Sequence, residues 1–310
     1  MLMKNYLLAI EDINKAEVLY LLKGAKKLAQ AKSVPLFLNG KTVANLFFEN
    51  STRTRSSFEI ATRKLGGSVL NFTATTSSVQ KGESLIDTAR NIEAMQPSCI
   101  VVRHASAGSP KVLADAVNIP VVNAGDGFHE HPTQALLDVF TIEEKLGSVL
   151  KKKILIIGDI AHSRVARSDI HLLKKLGAQV SVCGPPTLLP PEPESLGVSY
   201  SYRLEDFLNM ADVIIALRIQ LERQNKMQIP TLNEYAKFWG INAERAKLIK
   251  KGAIILHPGP INRGVELQSE VADGPLSVIL DQVANGVLVR MSVLAALCMT
   301  KEYEEWVKYG

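Results

Sequence analysis

The chain has 310 residues, of which 46% are apolar and 22% charged, and its formal net charge at pH 7 is +5. This composition excludes a disordered or collagen-like chain and is that of a globular protein of about two domains. The cysteines, Cys99, Cys183 and Cys298, are odd in number and scattered without zinc-ligand spacing, which argues against a disulfide framework and predicts reduced, buried thiols.

The N-terminal segment and the apolar runs predict a cytoplasmic protein. Residues 1–18 become charged too early to form a signal peptide. No apolar run is expected to reach the roughly 20 residues that cross a bilayer, so no membrane contact is predicted. The basic residues are dispersed, apart from the lysines at 151–153. We therefore interpret the modest positive charge as a preference for small anionic substrates, and we predict no nucleic-acid partner.

The first half of the chain alternates short β-rich runs with helical stretches, which is typical of a parallel α/β sheet. The predicted strands are 41–48, 68–72, 99–103 and 120–124. The predicted helices are 51–65, 84–95, 109–117 and one that begins near Pro132. Proline is favoured in a first helical turn. A polar loop is expected over 73–83 and a glycine-rich turn over 125–131.

The pattern restarts around residues 146–153, which predicts a second domain. Its predicted strands are 153–159, 178–184, 212–217 and 253–259, and its predicted helices are 163–176 and 277–299. The predicted fold class is α/β, with two Rossmann-like α/β domains, each a central parallel sheet flanked by helices. We place the domains at 1–134 and 148–285, with a cleft between them. A connecting helix over 135–147 and a C-terminal helix over 286–310 are expected to bridge the domains.

The segment 48–55, with the sequence FENSTRTR, lies where a predicted strand ends and a helix begins. The first N–H groups of a helix are unpaired and carry partial positive charge. Ser51 can cap this helix, Thr52 and Thr54 add hydroxyl donors, and Arg53 adds a fork of donors suited to phosphate oxygens. The alternative is a capped helix with two surface arginines. Arginines in a first turn oppose the helix dipole, so a bound anion explains them better, although this segment alone leaves both interpretations open.

Other nucleotide and metal sites find little support. The chain contains no G-x-x-x-x-G-K-[ST], which argues against a P-loop. The strand at 153–159 is followed by Ile160-Ala161-His162-Ser163, so the dinucleotide fingerprint G-x-G-x-x-G is absent as well. His129 and His131 are too few to hold a metal ion. We predict no cofactor and no metal.

Three further segments accompany the phosphate-binding signal. They are the loop 77–84 (SSVQKGES), residues 131–134 (HPTQ) after a predicted strand, and residues 257–260 (HPGP) after another. Together with 51–55 (STRTR), in this order and at this spacing, they resemble the aspartate/ornithine carbamoyltransferase family. The resemblance covers essentially the whole chain. Each motif alone is moderately specific, whereas four in order are very specific.

The resemblance implies a carbamoyl-phosphate-binding domain over 1–134 and an amino-acid-binding domain over 148–285. It also implies a homotrimer whose active sites are shared between neighbouring subunits. The carbamoyl-phosphate-binding residues implied are Ser51, Thr52, Arg53, Thr54, Ser77, Lys81, Arg103, His131, Gln134, Gly259 and Pro260. Those implied to act in catalysis are Arg53, Thr54, Lys81, Arg103 and His131.

The resemblance also implies a role for each group. Arg103 would bridge the phosphate and carbonyl regions, His131 would hydrogen-bond the carbonyl oxygen, and Gln134 would bind the carbamoyl amide. Ser77 and Lys81 would enter the site from a neighbouring subunit; a lysine in a polar loop is otherwise usually solvated. Glu49 and Arg164 resemble the pair that helps fix the closed domain arrangement. The reaction needs no covalent enzyme intermediate.

The second half of the chain distinguishes aspartate from ornithine as the acceptor. Aspartate carries two carboxylates and needs cations and amide donors. Arg164, Arg218 and Gln220 resemble the aspartate branch, with Lys81 implied as a further contact. The ornithine branch has His-Cys-Leu-Pro where this chain has HPGP, and its S-M-G loop is missing here. The implied products are N-carbamoyl-L-aspartate and phosphate, an early step of pyrimidine synthesis.

Several alternatives stay open at this point. They are a carbamoyltransferase for ornithine or another amine, a Rossmann-type oxidoreductase, and a non-enzymatic anion-binding protein. Gly259 stands where some aspartate members have leucine, which looks like another bacterial branch and leaves regulation open. The sequence does not decide whether a regulatory chain or a dihydroorotase joins the trimer.

Overall fold

A computed structural model of the chain describes residues 4–73, 83–220 and 231–309. Its strands are β1 (Tyr6–Leu7), β2 (Thr42–Phe47), β3 (Ser68–Thr73), β4 (Cys99–His104), β5 (Val121–Asp126), β6 (Lys153–Ile157), β7 (Gln179–Cys183), β8 (Ser199–Ser201), β9 (Val213–Ala216) and β10 (Ile254–Leu256). Its helices are α1 (Lys15–Gln30), α2 (Thr52–Lys64), α3 (Leu85–Ala94), α4 (Ser109–Ala116), α5 (Pro132–Leu146), α6 (Arg164–Lys175), α7 (Glu205–Leu208), α8 (Leu232–Trp239), α9 (Ala243–Leu248), α10 (Ser269–Ala272), α11 (Ile279–Cys298) and α12 (Thr300–Tyr309).

The chain divides into two compact units. The first unit comprises Met1–Phe140 and Val283–Gly310, and the second unit comprises Thr141–Gln282. The two boundaries fall inside α5 and α11, and the last 28 residues belong to the first unit.

The first unit is built on a parallel five-stranded sheet in the order β1-β5-β4-β2-β3. All six residues of β5 are buried, as are five of the six residues of β2. Such continuous burial is expected where helices cover both faces of a parallel sheet. The core between sheet and helices includes Leu46, Ile100 and Leu113, none of which exposes any surface.

The second unit repeats this plan with the order β10-β9-β6-β7-β8, again with parallel neighbours throughout. The central strand β6 pairs with β7 on one side and β9 on the other. Its core joins Leu155 and Ile214 of the sheet to Leu204 and Leu208 beside α7. The predicted fold class, two α/β domains with parallel sheets, is confirmed.

Short or polar elements differ from the sequence-based expectation. The two-residue β1 and the three-residue β8 (SYS) were not predicted, because neither contains a β-rich run. The C-terminal segment is not one helix, since α11 ends at Cys298 and α12 follows it. α12 directs Tyr303 inward, where its ring lies 5.2 Å from that of Phe37 and its hydroxyl donates to Ser292 Oγ at 2.7 Å.

The expectation that no segment is long and apolar enough to cross a membrane is wrong for α11. This 20-residue helix has a mean hydropathy of 1.3 over its most apolar 18-residue window. However, 61% of that window is buried within the protein, and the window includes the buried Arg290. Extensive burial and an internal cation are typical of the core helix of a globular protein.

Candidate functional site

In the first unit, the predicted site residues follow the carboxyl ends of three adjacent strands. Ser51 follows β2, Arg103 lies near the end of β4, and His131 follows β5. β4 lies between β2 and β5, and Phe47 of β2 is in register with Arg103. Parallel strands all end at the same edge of a sheet, where α/β proteins bind ligands. The fold therefore gathers the turn 51–55, Arg103, His131 and Gln134 at one edge, which we call the first anion site.

The turn 51–55 opens helix α2 with cations rather than acids. No acidic residue lies in the first turn of α2, although acids would suit the helix dipole. Thr52 and Arg53 are exposed, whereas Thr54 is buried. The predicted cap at Ser51 is wrong: at φ −158° and ψ 91° its hydroxyl bonds none of the first-turn N–H groups of the described helix. A hydroxyl that does not cap is free to contact an anion beside those N–H groups.

Arg103 is held in place by contacts on either side. Its Nε lies 3.3 Å from Oε2 of Glu49, and both side chains are largely buried. Its Nη1 donates to the carbonyl oxygen of Ala124 on β5 at 3.4 Å. The guanidinium is therefore oriented before any ligand arrives, which is the preorganisation that charge stabilisation requires.

Two buried carboxylates shape the turn that leads to His131. Asp126 accepts hydrogen bonds from the N–H of Gly108 at 2.7 Å and of Glu130 at 3.1 Å. Glu130 accepts from the N–H of Ile10 at 3.0 and 3.1 Å. Backbone N–H groups around a buried carboxylate stabilise its charge and order the loop. His131 therefore follows a rigid turn and directly precedes α5. Its exposed fraction is 4%.

Gln134 has a defined amide orientation. Its Nε2 donates to Oδ1 of Asp138, one helical turn later, at 3.0 Å. An ionised carboxylate only accepts, so this bond directs the amide oxygen of Gln134 away from Asp138. An amide oxygen so placed accepts from an N–H donor, which agrees with the role that the sequence assigns to Gln134.

Arg290 of α11 contacts helix α2 of the first anion site and was not anticipated from the sequence. Its Nη1 donates to Ser57 Oγ on α2 at 2.9 Å and to the Gly286 carbonyl at 3.2 Å. Its guanidinium lies over the Phe58 ring at 5.1 Å. Burial lowers the pKa of Arg290 to about 10, against an opposing effect of Asp138, so the group stays charged at neutral pH.

The second unit repeats the arrangement at the carboxyl ends of β6, β9 and β10. Arg164 opens α6 after β6, Arg218 and Gln220 follow β9, and residues 257–260 follow β10. β9 lies between β6 and β10, so the three segments meet at one edge of the sheet. We call these residues the second anion site. Arg164 is 3% exposed, and no acidic residue lies in the first turn of α6.

Glu266 ties together two loops of the second anion site, and sequence reasoning missed it. Its carboxylate accepts from the N–H of Ile219 at 2.7 Å, between Arg218 and Gln220. It also accepts from the N–H and the side-chain amide of Asn262 at 2.8 and 2.7 Å. Glu266 is 2% exposed. Only its position after the motif 257–260 could have drawn attention to it.

The one cysteine in the second unit does not supply a thiolate. Cys183 ends β7, is fully buried in the apolar core, and burial raises its pKa to about 12. It is therefore a neutral thiol at pH 7. Asp159 accepts from the N–H of His162 at 3.0 Å. Among the described residues of this site, Arg164 and Arg218 favour an anionic ligand, whereas the carboxylates of Asp159 and Glu266 accept hydrogen bonds from backbone N–H groups.

Ser77 and Lys81 lie outside the described residues, so their predicted roles stay predictions. The ligand roles of the other predicted residues likewise remain predictions. The peptide bond between Gly259 and Pro260 is cis, within the loop that follows β10.

The fold and the two sites define a protein of two α/β units, each with an anion site at the carboxyl edge of its sheet. Two family models match: residues 5–144 match the carbamoyl-P binding domain, and residues 150–297 the Asp/Orn binding domain, of aspartate/ornithine carbamoyltransferase. The aspartate carbamoyltransferase catalytic subunit of Myxococcus xanthus is 56% identical over 290 residues, 93% of this chain and 98% of that protein.

Solved structures agree with this match. The aspartate transcarbamoylase of Trypanosoma cruzi, in complex with carbamoyl phosphate and aspartate, is 32% identical and superposes with a TM-score of 0.85, over 94% of this chain and 96% of that one. The same enzyme in complex with N-(phosphonacetyl)-L-aspartic acid (PALA) also gives 0.85 at 32% identity, over 94% and 95% of the chains. The chain belongs to the aspartate/ornithine carbamoyltransferase family.

Replacing Arg290 by methionine is expected to lower the free energy of unfolding by about 3 kcal/mol, because it removes the buried hydrogen bonds to Ser57 and Gly286 and a positive charge that acts on the buried Asp138. Urea unfolding of Arg290→Met measures this, and adding Asp138→Asn should recover part of the loss. Asp281→Asn is the control, since it breaks an exposed pair with Lys145 and should cost less than about 1 kcal/mol. Equal losses in Arg290→Met and in the control would contradict the role given to Arg290.

Proposed function

We propose that the chain transfers the carbamoyl group of carbamoyl phosphate to the amine of L-aspartate, giving N-carbamoyl-L-aspartate and phosphate. The observation that carries this proposal is the pair of anion sites, one in each unit. Helices α2 and α6 both begin at the carboxyl edge of a parallel sheet, with arginines and no acid in the first turn. The names of the relatives and the ligands in the solved structures support the same pair of substrates.

Carbamoyl phosphate is assigned to the first anion site. The N–H groups of α2, the hydroxyls of Thr52 and Thr54, and Arg53 hold the phosphate. Arg103 and His131 reach the carbonyl oxygen, and the amide oxygen of Gln134 accepts from the carbamoyl NH2 group. Because Arg103 is already oriented by Glu49 and Ala124, little reorganisation is needed when negative charge develops.

The chemical step is an acyl transfer. The neutral amine of aspartate attacks the carbamoyl carbon, and the carbonyl π electrons move to oxygen, giving a tetrahedral oxyanion. Thr54, Arg103 and His131 stabilise this oxygen, a contribution of about 3–4 kcal/mol per donor in comparable sites. The oxyanion electrons then re-form the C=O bond as the C–O bond to phosphate breaks, the departing phosphate keeps the bonding electron pair, and the amine proton passes to that phosphate. No covalent bond to the protein forms.

L-aspartate is assigned to the second anion site. Its two carboxylates match Arg164 and Arg218, and Gln220 adds an amide donor. An ornithine side chain would place its ammonium where the described residues offer the arginines Arg164 and Arg218. The placing of carboxylates against cations therefore favours aspartate as the acceptor.

Assembly and location are part of the same proposal. The chain acts as a cytoplasmic homotrimer in which Ser77 and Lys81 of one subunit complete the site of its neighbour. The resemblance of the 77–84 loop to the family supports this arrangement. A role in pyrimidine synthesis follows from the product.

The purified protein should form carbamoyl aspartate from carbamoyl phosphate and L-aspartate, and no citrulline when L-ornithine replaces aspartate. Both products are quantified in parallel reactions at equal substrate concentrations. Citrulline as the main product would show that the second anion site has been misassigned, while leaving the first intact. Formation of neither product would overturn the proposed reaction.

The variant Glu266→Gln should raise the KM for aspartate about tenfold, because an amide N–H in place of a carboxylate oxygen faces the donors of Ile219 and Asn262. The KM for carbamoyl phosphate should change less than twofold. Steady-state kinetics with each substrate varied in turn gives both values. Glu270→Gln is the matched control, an exposed glutamate nearby that should leave both constants unchanged. A similar rise in the two KM values would argue against this role of Glu266.

Mixing the inactive variants Lys81→Ala and Arg53→Ala should restore activity if active sites are shared. A hybrid trimer contains one site that draws Arg53 from one subunit and Lys81 from the next. Random exchange then yields roughly a quarter of the unmutated activity. Exchange is verified by native mass spectrometry, with each variant incubated alone as the control. Verified hybrids without activity would exclude sharing of these two residues.

A further inference from the structure

The second unit contains a cavity of about 570 Å³ at the edge of its sheet opposite to the second anion site. The first residues of β6, β7 and β8 line it: Lys153, Gln179 and Ser199. Arg164 and Arg218, by contrast, follow the carboxyl ends of β6 and β9. The length of β6 alone separates the two edges by ~13 Å. The cavity is therefore distinct from the residues assigned to aspartate.

One face of the sheet changes from apolar to polar at this cavity. Leu155, Ser181 and Ser199 are in register on neighbouring strands, so their side chains share a face. Leu155 packs into the core beside Leu208 and Ala211. The faces of parallel sheets are ordinarily apolar, because helices cover them. Here α7 has only four residues, and the serines line a cavity instead of a helix interface.

The uncharged polar side chains of this cavity are not engaged by other described residues of the protein. Within the described ranges, the side chains of Gln179, Ser181 and Ser199 make no hydrogen bond or ion pair with another residue. They supply two hydroxyls and one amide, each of which can donate or accept. A few polar groups of this kind beside an apolar wall are the usual composition of a small-molecule site.

The charge of the cavity is positive. Lys153 and Lys174 are among its lining residues, and the lining includes no carboxylate. Lys174 Nζ donates to the carbonyl oxygen of Leu196, which holds the ammonium group beside the cavity. The neighbouring Asp212 accepts from the N–H of Lys153 and pairs with Lys250, so its charge is already balanced. An anion is therefore favoured here.

Part of the lining is apolar. Phe207 and Met210 line the cavity next to Leu155 and Ala211. Together these side chains offer a surface for a ring or a short hydrocarbon, while the lysines and hydroxyls offer bonds to an anionic group. A volume of about 570 Å³ lies within the usual range for small-molecule sites, roughly 300–1,000 Å³.

We propose that this cavity is a second ligand site, which binds a small organic anion with one acidic group and an apolar body of about one or two rings. The acidic group contacts Lys153 and Lys174, and the apolar body packs against Phe207 and Met210. This site is independent of the transfer reaction. The cavity is lined by residues at the start of β6 and near the end of α6. The opposite end of each of these two elements leads into the second anion site.

The test uses 8-anilinonaphthalene-1-sulfonate, an aromatic anion of this class, titrated into the full-length protein and followed by its fluorescence. PALA is present at saturation to block the substrate site. We expect one probe molecule bound per chain with PALA present. The double variant Lys153→Gln, Lys174→Gln should weaken binding about five- to tenfold, since the attraction of exposed lysines for an anion is weakened by solvent screening. Ser181→Leu, which fills the cavity, should abolish binding.

Lys151→Gln is the matched control, because it removes one exposed positive charge close to β6 without touching the cavity lining. It should leave the probe affinity unchanged. Complete displacement of the probe by PALA, or equal affinities for the lysine double variant and the control, would overturn the proposal. Inhibition of the transfer reaction by PALA is measured separately. If PALA does not inhibit, the proposed function is in question, and the lysine variants still decide whether this cavity binds the probe.

Discussion

The shared direction of the strands is the constraint on which this structure depends. Because every strand in a sheet is parallel to its neighbours, all the loops that follow the strands emerge at one edge. The N-termini of α2 and α6 then present unpaired N–H groups and partial positive charge at that edge. Arginines at these helix starts oppose the dipole, and a bound anion would offset that cost. The location and the charge preference of both sites follow from this one arrangement.

Buried charged groups hold the loops of these sites in place. Asp126, Glu130 and Glu266 each accept hydrogen bonds from backbone N–H groups, which offsets the cost of removing a carboxylate from water. Arg290 is a buried cation on α11 that connects this helix to α2 through its hydrogen bond to Ser57. None of these four is among the residues assigned to substrate. They supply the rigidity that lets the ligand-binding groups stabilise charge without reorganising.

The two edges of the second sheet have different chemistry. Its carboxyl edge carries arginines on loops that Glu266 orders, and its amino edge opens into the cavity beside Lys153 and Lys174. The cavity exists because α7 is a single turn and leaves Ser181 and Ser199 uncovered. A longer apolar helix at this position would have packed onto the sheet, as helices do elsewhere in the two units.

The sequence by itself determined the fold class and the family, and it predicted the segments that we assign to the substrates. These are local properties: alternating β-rich and helical runs, and the motifs at 51–55, 131–134 and 257–260, are each read within a few neighbouring residues. Short elements such as β1 and β8 were not predicted, because two or three residues are too few to show a strand pattern. The cap predicted at Ser51 is absent, because the direction of its side chain depends on the backbone angles and not on the residue type.

Only the tertiary structure decided which residues support the sites. Glu266 bonds to the N–H of Ile219, 47 positions away, and Arg290 to Ser57, 233 positions away. The cavity likewise forms only where β6, β7, β8 and α7 come together in the folded chain. No local pattern encodes such partners, because a buried charge is tolerated only where the folded chain brings several donors or acceptors to it.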